Sequence, residues 1–373
     1  MRLAGRALSI LVASVAAGAA SHARAEETVK IGACLSLTGP AAVYGAQQKA
    51  GVLAAVDEIN QSGLLKGIKL QAVIEDDAST KEQGIAVYQR LISRDKVAAI
   101  IGPTLSNTAT AADPLAQAAK VPVVAVSNTA PRGITDIGDH IWRVSLTEGQ
   151  VIPGALKRAQ ARLGFKAAGV LYGNDDAFTQ AGYDVMKSAL DSMGVKILAT
   201  QTFAKPDRDY NAQLTALIGL KPDILVVSAL VENAAGIVAQ ARQLGWRGPI
   251  LGGNGFNSAA LIKNAGAAAE GVLVGTSWNR VSTDPANQAF LKLMASRNFE
   301  PDQFCAQAYT GVLVIADAIR MAGKAGRGDI RGAFSRVKDL PTPLGKFSFL
   351  PDRNGSHEPA LQLVKDGKFQ IAQ

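Results

Sequence analysis

Histidine, cysteine and aromatic residues are scarce in this chain, and their scarcity removes whole classes of chemistry. Of 373 residues three are histidine and two cysteine, and Phe, Trp and Tyr together make up 5%. Only His140 and His357 remain once the first 25 residues are set aside, and Cys34 and Cys305 stand far apart in the chain. Such a set builds no imidazole or thiolate constellation, so neither a metal nor a cofactor is expected. Also missing are a Walker-type phosphate loop and a Gly-x-Ser-x-Gly elbow, and His357-Glu358 lacks the second histidine of a zinc protease. Gly252-Gly253-Asn254-Gly255 follows a strand pattern without dinucleotide-fingerprint spacing, so its glycines are read as close backbone approach. No base, nucleophile and orienter come together; no catalytic residue is assigned and a non-enzyme is expected.

Long apolar runs are missing too, except at the start. Arg2 and Arg6 lead an apolar stretch over 7–20, followed by Ala23-Arg24-Ala25, the pattern of a secretory signal with an Ala-x-Ala cleavage site. That predicts a signal peptide over 1–25 and export to the periplasm. No later segment approaches 18 uninterrupted apolar residues, so the mature chain is expected not to span a membrane. No lipid-anchor cysteine follows the cleavage site. The formal charge of +8 falls to +5 once Arg2, Arg6 and Arg24 leave with the signal. The basic residues are dispersed, which argues against nucleic acid and leaves a mild bias toward anionic ligands. An oxidising compartment permits a Cys34–Cys305 disulfide; two buried thiols are the preferred reading, and the disulfide stays open.

What is present is an alternation of short β-rich runs with helical patterns, in a chain long enough for two cores. Strand patterns at 29–37, 69–76, 97–101 and 121–126 alternate with helices reaching to 60, from a Thr80 cap, and to 119. The acidic run Glu75-Asp76-Asp77 is read as a solvated strand-end turn. A hinge crossing is expected at 143–146, with Thr147 opening a new helix. Strands at 167–172, 196–203, 224–228 and 250–252 then alternate with three more helices. A second crossing is expected at 272–277, after which helices at 287–297 and 305–322 return to cover the first lobe. A third near 345–351 sends 360–371 to the second. The fold class is α/β, two Rossmann-like lobes joined by three hinge crossings. Lobe one is expected over 26–143 plus 278–346, and lobe two over 144–277 plus 347–373.

Two loops stand out. IIGPTLSNT ends at Thr108 and VVAVSNTAP at Pro131; in each an apolar run gives way to small hydroxyl and amide residues. Ligands of open α/β sheets bind beyond the carboxyl ends of strands, where helix N-termini favour an anion. Ser106, Asn107, Thr108, Ser127, Asn128 and Thr129 are therefore candidates, although such residues are also ordinary caps. A second copy strengthens the case. IGPTLSN is echoed by VSALVEN and PVVAVSN by PILGGN, so Asn107 to Asn233 and Asn128 to Asn254 each span 126 positions, as two lobes of one design would.

The ordered set IGACLSLTGPAAVYG, EDDAST, VAAIIGPTLSN, VPVVAVSNTAP, VLYGNDDAF and ILGGNGF, over nearly the whole mature chain, resembles the periplasmic solute-binding proteins of ABC importers, in the leucine/isoleucine/valine-binding branch with the type I periplasmic binding fold. The resemblance implies lobes that close on a ligand and then dock on ABC permease and ATPase subunits; a monomer is expected. It implies a carboxylate held by Ser106, Ser127 and Thr129, with Tyr44 beside the side-chain pocket. On the second lobe the matching positions are Phe178 and Asn254, and Leu230 is a further candidate; Phe178, Phe256, Trp142 and Trp278 are candidate ring-facing walls, with burial in the core the preferred reading for aromatics of this size. Here the sequence departs from the family. Amino acid binders carry an acid where Asn254 stands, to pair with the ligand ammonium, and burying an ammonium opposite an amide forfeits that compensation. The expected ligand is a hydrophobic or aromatic carboxylate, 2-oxo acids among them, without an α-amino group. The alternatives are an amino acid whose ammonium meets carbonyls with Glu232, Asp175 or Asp176, and an exported sensor that presents the same ligand to a signalling partner.

Overall fold

Runs of Val, Ile, Ala and Leu that end at glycine or a small polar residue become strands here, and the amphipathic stretches between them become the covering helices. The computed structural model describes residues 26–372, so the expected signal peptide lies outside the described residues. The chain begins β1 (Glu27–Leu35), α1 (Ala42–Ser62), β2 (Ile68–Asp76), α2 (Lys81–Gln89), β3 (Ala99–Ile101), α3 (Ser106–Ala118), β4 (Val123–Ala125) and β5 (Ile141–Arg143). These strands form a parallel sheet in the order β2-β1-β3-β4-β5. Next come α4 (Glu148–Leu163), β6 (Ala167–Gly173), α5 (Ala177–Ser192), β7 (Lys196–Phe203), α6 (Asn211–Gly219), β8 (Ile224–Ser228), α7 (Val231–Gln243), β9 (Ile250–Gly252), α8 (Ala259–Ala265) and β10 (Val272–Thr276). Their sheet runs β7-β6-β8-β9-β10, so the second, first, third, fourth and fifth strands occur in the same order in both halves. The 126-residue echo is thus a repeat of topology.

After β10 come α9 (Pro285–Ser296), α10 (Gln303–Ala322), α11 (Arg327–Phe334), β11 (Leu340–Thr342), β12 (Gly345–Phe349), β13 (Gly355–Ser356), β14 (Ala360–Lys365) and β15 (Lys368–Ile371). α10 returns to the first lobe, its Val312, Ile315 and Ile319 sharing a core with Ile31, Val52 and Val124. Its length and apolar composition would suit a membrane span, but 83% of that stretch is buried inside the protein. β14 joins the second sheet antiparallel to β10, with β15 outside it.

Two expected crossings move. Residues 272–276 are a buried strand between β9 and β14, so the chain leaves the second sheet only after Thr276. Residues 345–347 pair with β11, and Phe347 is fully buried in the first lobe's core, so this strand packs there, and Gly355 just beyond it meets Gln150 of α4. Cys34 and Cys305 are both buried and free. The acidic run is the expected strand-end turn, with Asp76 and Asp77 accepting from the amides of Ala78 and Ser79 two residues on, but it is not solvated throughout. Asp77 is fully buried and accepts from Ser36 Oγ at 2.6 Å, while Asp76 accepts from the Leu37 and Thr38 amides, so the pair ties β2 to the loop before α1.

Local signals place the elements that matter for the cleft. Thr147 forms a capping box with Gln150, which fixes where α4 begins. Gly102, at φ +108°, lets the chain turn out of β3; a Cβ there would lie 2.2 Å from the Cys34 carbonyl oxygen. Gly51 allows α1 to lie against α10, because a Cβ there would come within 2.3 Å of the Cys305 carbonyl oxygen. Replacing Gly51 with Ala should push these helices apart at about 1–3 kcal/mol. A thermal melt should show Tm lowered by several degrees; an unchanged Tm would mean the helices are not in this contact.

Candidate functional site

The carboxyl ends of the parallel strands of the two sheets face each other across a narrow cavity of about 20 Å³. Seven of the expected residues line it: Tyr44, Ser106, Ser127 and Thr129 from the first half, and Phe178, Leu230 and Asn254 from the second. Thr104, Leu105, Gly255 and Phe304 complete the wall. Phe304 had no sequence signal, because it sits at the start of α10, a helix readable only as a cover for the first lobe. Its ring packs against Tyr44 with centroids 4.4 Å apart.

Four expected residues lie off this wall. Thr108 faces α2, where a Cβ on Gly84 would be 2.2 Å from its methyl group. Asn128 is fully buried, and its carbonyl accepts from Arg143 Nη1 at 3.0 Å and Ser145 Oγ at 3.1 Å. Phe256 turns under its own loop, 2.4 Å from where a Cβ on Gly252 would sit. Asn107 bonds across the cleft, as described below. The tryptophans are core residues: Trp142 packs on Phe334 and Phe349, and Trp278 on Phe290.

At the first-lobe end α3 begins at Ser106 behind Leu105, which has no side chain able to cap it. The free N–H groups of its first turn therefore favour an anion at the cavity. The neighbouring hydroxyls are committed inside the protein. Ser127 Oγ donates to the Thr104 carbonyl at 2.7 Å and accepts from Gln48 Nε2 at 2.6 Å. Thr129 Oγ1 donates to Glu148 Oε1 at 3.2 Å. The donors left for an anion among the described residues of this wall are thus the first-turn α3 amides, the Ser106 hydroxyl and the backbone N–H groups of the 127–129 loop.

Glu148 is the residue that sequence reasoning missed. It is the first residue of α4, where an acid is ordinary helix chemistry, so only its burial distinguishes it. At 1% exposure its Oε1 accepts from Thr129 Oγ1, from Asn254 Nδ2 at 3.0 Å and from the Asn254 amide at 3.3 Å; Oε2 has no partner. Burial pushes its carboxyl up to about 7. Asn254 Oδ1 in turn accepts from Ser277 Oγ and Gln303 Nε2, both at 3.0 Å. The three acids considered from sequence have other roles. Glu232 faces Arg208 at 3.9 Å, Asp175 accepts from the Lys205 amide, and Asp176 caps α5.

A family model for periplasmic binding proteins matches residues 28–368. This chain belongs to that family. Over 352 residues it is 30% identical to the leucine-, isoleucine-, valine-, threonine- and alanine-binding protein of Pseudomonas aeruginosa, covering 94% of this chain and 93% of that one. Among solved structures it resembles the branched-chain amino acid transporter substrate-binding protein LivJ of Streptococcus pneumoniae in complex with isoleucine, at 29% identity and TM-score 0.85, over 93% and 99% of the two chains. A solute-binding protein of Rhodopseudomonas palustris in complex with 4-hydroxybenzoate shares the fold, at 23% identity and TM-score 0.83, over 93% and 96%. The architecture is the type I periplasmic binding fold of the LivK/LivJ kind.

In this binding protein two side chains from the first half seal the cleft on helix N-termini of the second. Tyr44 Oη donates to the Gly255 carbonyl at 2.7 Å and accepts from the Val231 amide, the first of α7, at 2.8 Å. Asn107 Nδ2 donates to Asp176 Oδ2 at 2.7 Å, and its Oδ1 accepts from the Ala177 amide, the first of α5, at 3.0 Å. Opening the lobes must break all four bonds and return those N–H groups to water.

Two measurements follow. Asn107→Ala, at a residue that is not on the cavity wall, should weaken ligand binding about tenfold by calorimetry, from two lost bonds, and leave the unliganded Tm within about a degree; unchanged affinity would remove the latch. For Glu148 the folded carboxyl titrates near 7 and the unfolded one near 4.5, so its contribution to stability is lost as pH rises between those values. Urea unfolding at pH 5 and pH 8 should cost wild type about 3 kcal/mol more than Glu148→Gln. Equal losses would mean that Glu148 is not held in this dry position.

Proposed function

We propose that this protein is the periplasmic substrate-binding component of an ABC importer, and that it captures a small hydrophobic or aromatic carboxylate, 2-oxo acids among them, for delivery to permease and ATPase subunits. One observation carries the ligand class: no described residue on the cavity wall is acidic, and Asn254 occupies the second-lobe end with an amide whose oxygen is already bonded twice. The uncapped α3 N-terminus supplies the anion end. Tyr44, Leu105, Phe178, Leu230 and Phe304 supply apolar walls suited to a hydrocarbon or aromatic ring. The Rhodopseudomonas palustris neighbour supports this reading to the extent that the fold accommodates a hydroxybenzoate.

A second reading, a branched-chain amino acid, is favoured by the Pseudomonas aeruginosa relative and by the unpartnered Glu148 Oε2. Against it, that carboxylate sits behind Asn254 and Thr129, off the cavity wall. Calorimetric titration with leucine, phenylalanine, their 2-oxo acids and benzoate derivatives separates the two. The proposal expects heat from one or more of the acids and none from the amino acids; tight leucine binding with silent acids would overturn it.

A further inference from the structure

The hydrogen bonds behind Asn254 determine which of its two polar atoms the cavity receives. The Ser277 backbone N–H can only donate, and it donates to Gln303 Oε1 at 2.6 Å, an oxygen that also accepts from Thr276 Oγ1 at 2.9 Å. Gln303 therefore turns its Nε2 toward Asn254 and donates to Oδ1, which Ser277 Oγ also reaches. Both acceptor positions of that oxygen are filled. Asn254 Nδ2 donates one hydrogen to Glu148 Oε1, and this holds whether Glu148 is charged or carries its proton on Oε2. The hydrogen-bonding capacity of Asn254 not consumed inside the protein is one Nδ2–H. Thr129 and Asn254 meet on the same Glu148 oxygen and line the same cavity, so the backbone N–H groups of the 127–129 loop and this amide lie within one small functional group of each other.

We propose that Gln303 is a positioning residue that presents Asn254 to the ligand as a donor, and that the ligand accordingly carries an uncharged acceptor oxygen, oxo or hydroxyl, on the carbon next to its carboxylate. The inference rests on the carboxylate reading above and narrows it to 2-oxo or 2-hydroxy acids. An α-ammonium at this position would meet an N–H, a donor against a donor, with no lone pair to receive it.

The test is a ladder of four probes on wild type by calorimetry: 4-methyl-2-oxopentanoate, 2-hydroxy-4-methylpentanoate, 4-methylpentanoate and leucine. Removing the C2 oxygen should weaken binding at least about tenfold, and the first two probes show which oxygen is preferred. Asn254→Asp should abolish that preference while still binding 4-methylpentanoate. Gln303→Met removes the donor that holds Asn254 Oδ1 and should shrink the affinity ratio of 4-methyl-2-oxopentanoate to 4-methylpentanoate at least several-fold, whereas a merely structural Gln303 would weaken both probes alike. If 4-methylpentanoate binds wild type as well as its 2-oxo counterpart, the proposal is overturned and the carboxylate reading stands. If leucine alone binds, both fall. Should either variant fail to fold by circular dichroism, the wild-type ladder still decides.

Discussion

One carboxylate oxygen, Glu148 Oε1, ties the site together. It accepts from Thr129 on the loop after β4 and from the amide and side chain of Asn254 on the loop after β9. Both loops leave the fourth strand of their half, so this oxygen joins equivalent positions of a repeated design. A carboxylate stripped of water is costly unless hydrogen-bonded, and three donors on one oxygen are the compensation that makes the position tenable. With the Thr129 and Ser127 hydroxyls thus occupied, the donors left at that end of the cavity are the α3 amides, the Ser106 hydroxyl and the backbone N–H groups of 127–129.

The cleft shows the same economy of donors at its edges. Free N–H groups at helix N-termini must find partners or remain in water. α3 keeps its own facing the cavity, whereas those opening α5 and α7 are met by Asn107 and Tyr44 from the opposite half. The arrangement of the two halves therefore satisfies groups that would otherwise be desolvated without a partner. The apolar contribution is built into the same residues: Tyr44, Leu105 and Phe304, from first-half segments, belong to the hydrophobic cluster of Phe203, Leu225 and Val227.

Much of this was legible in the sequence because the signals were local. Strand-helix alternation, the Thr147 cap and the two hydroxyl-rich loops depend on neighbouring residues, and the 126-residue echo corresponds to the shared strand order. What escaped was decided by distant partners. Residues 272–276 read as a crossing, yet β14, about 90 residues later, pairs with them and makes a central strand. Phe304 belongs by sequence to a core helix and reaches the cavity only because α10 starts there. Glu148 looks like any helix-opening acid until Asn254, over a hundred positions away, folds onto it. Thr108, Asn128 and Phe256 share the loops' composition but point away from the cavity: Thr108 lies in the first turn of α3 on the face toward α2, Asn128 is turned into the protein between Ser127 and Thr129, and Phe256 closes a tight turn under Gly252.

At Asn254 the second lobe presents an amide held on both sides, by Glu148 and by Gln303 with Ser277. An acid on the wall would offer lone pairs to an ammonium; here the acid stands one layer behind, and its lone pairs are spent on orienting an amide. Placing Asn254 between Glu148 and Gln303 reverses the polarity of what the ligand meets, from acceptor to donor, while a carboxyl group stays at the same end of the cleft. The buried charge becomes a support for specificity instead of its direct agent, and because Oε1 accepts in either protonation state, the orientation of the amide is insulated from the titration of the carboxyl that holds it.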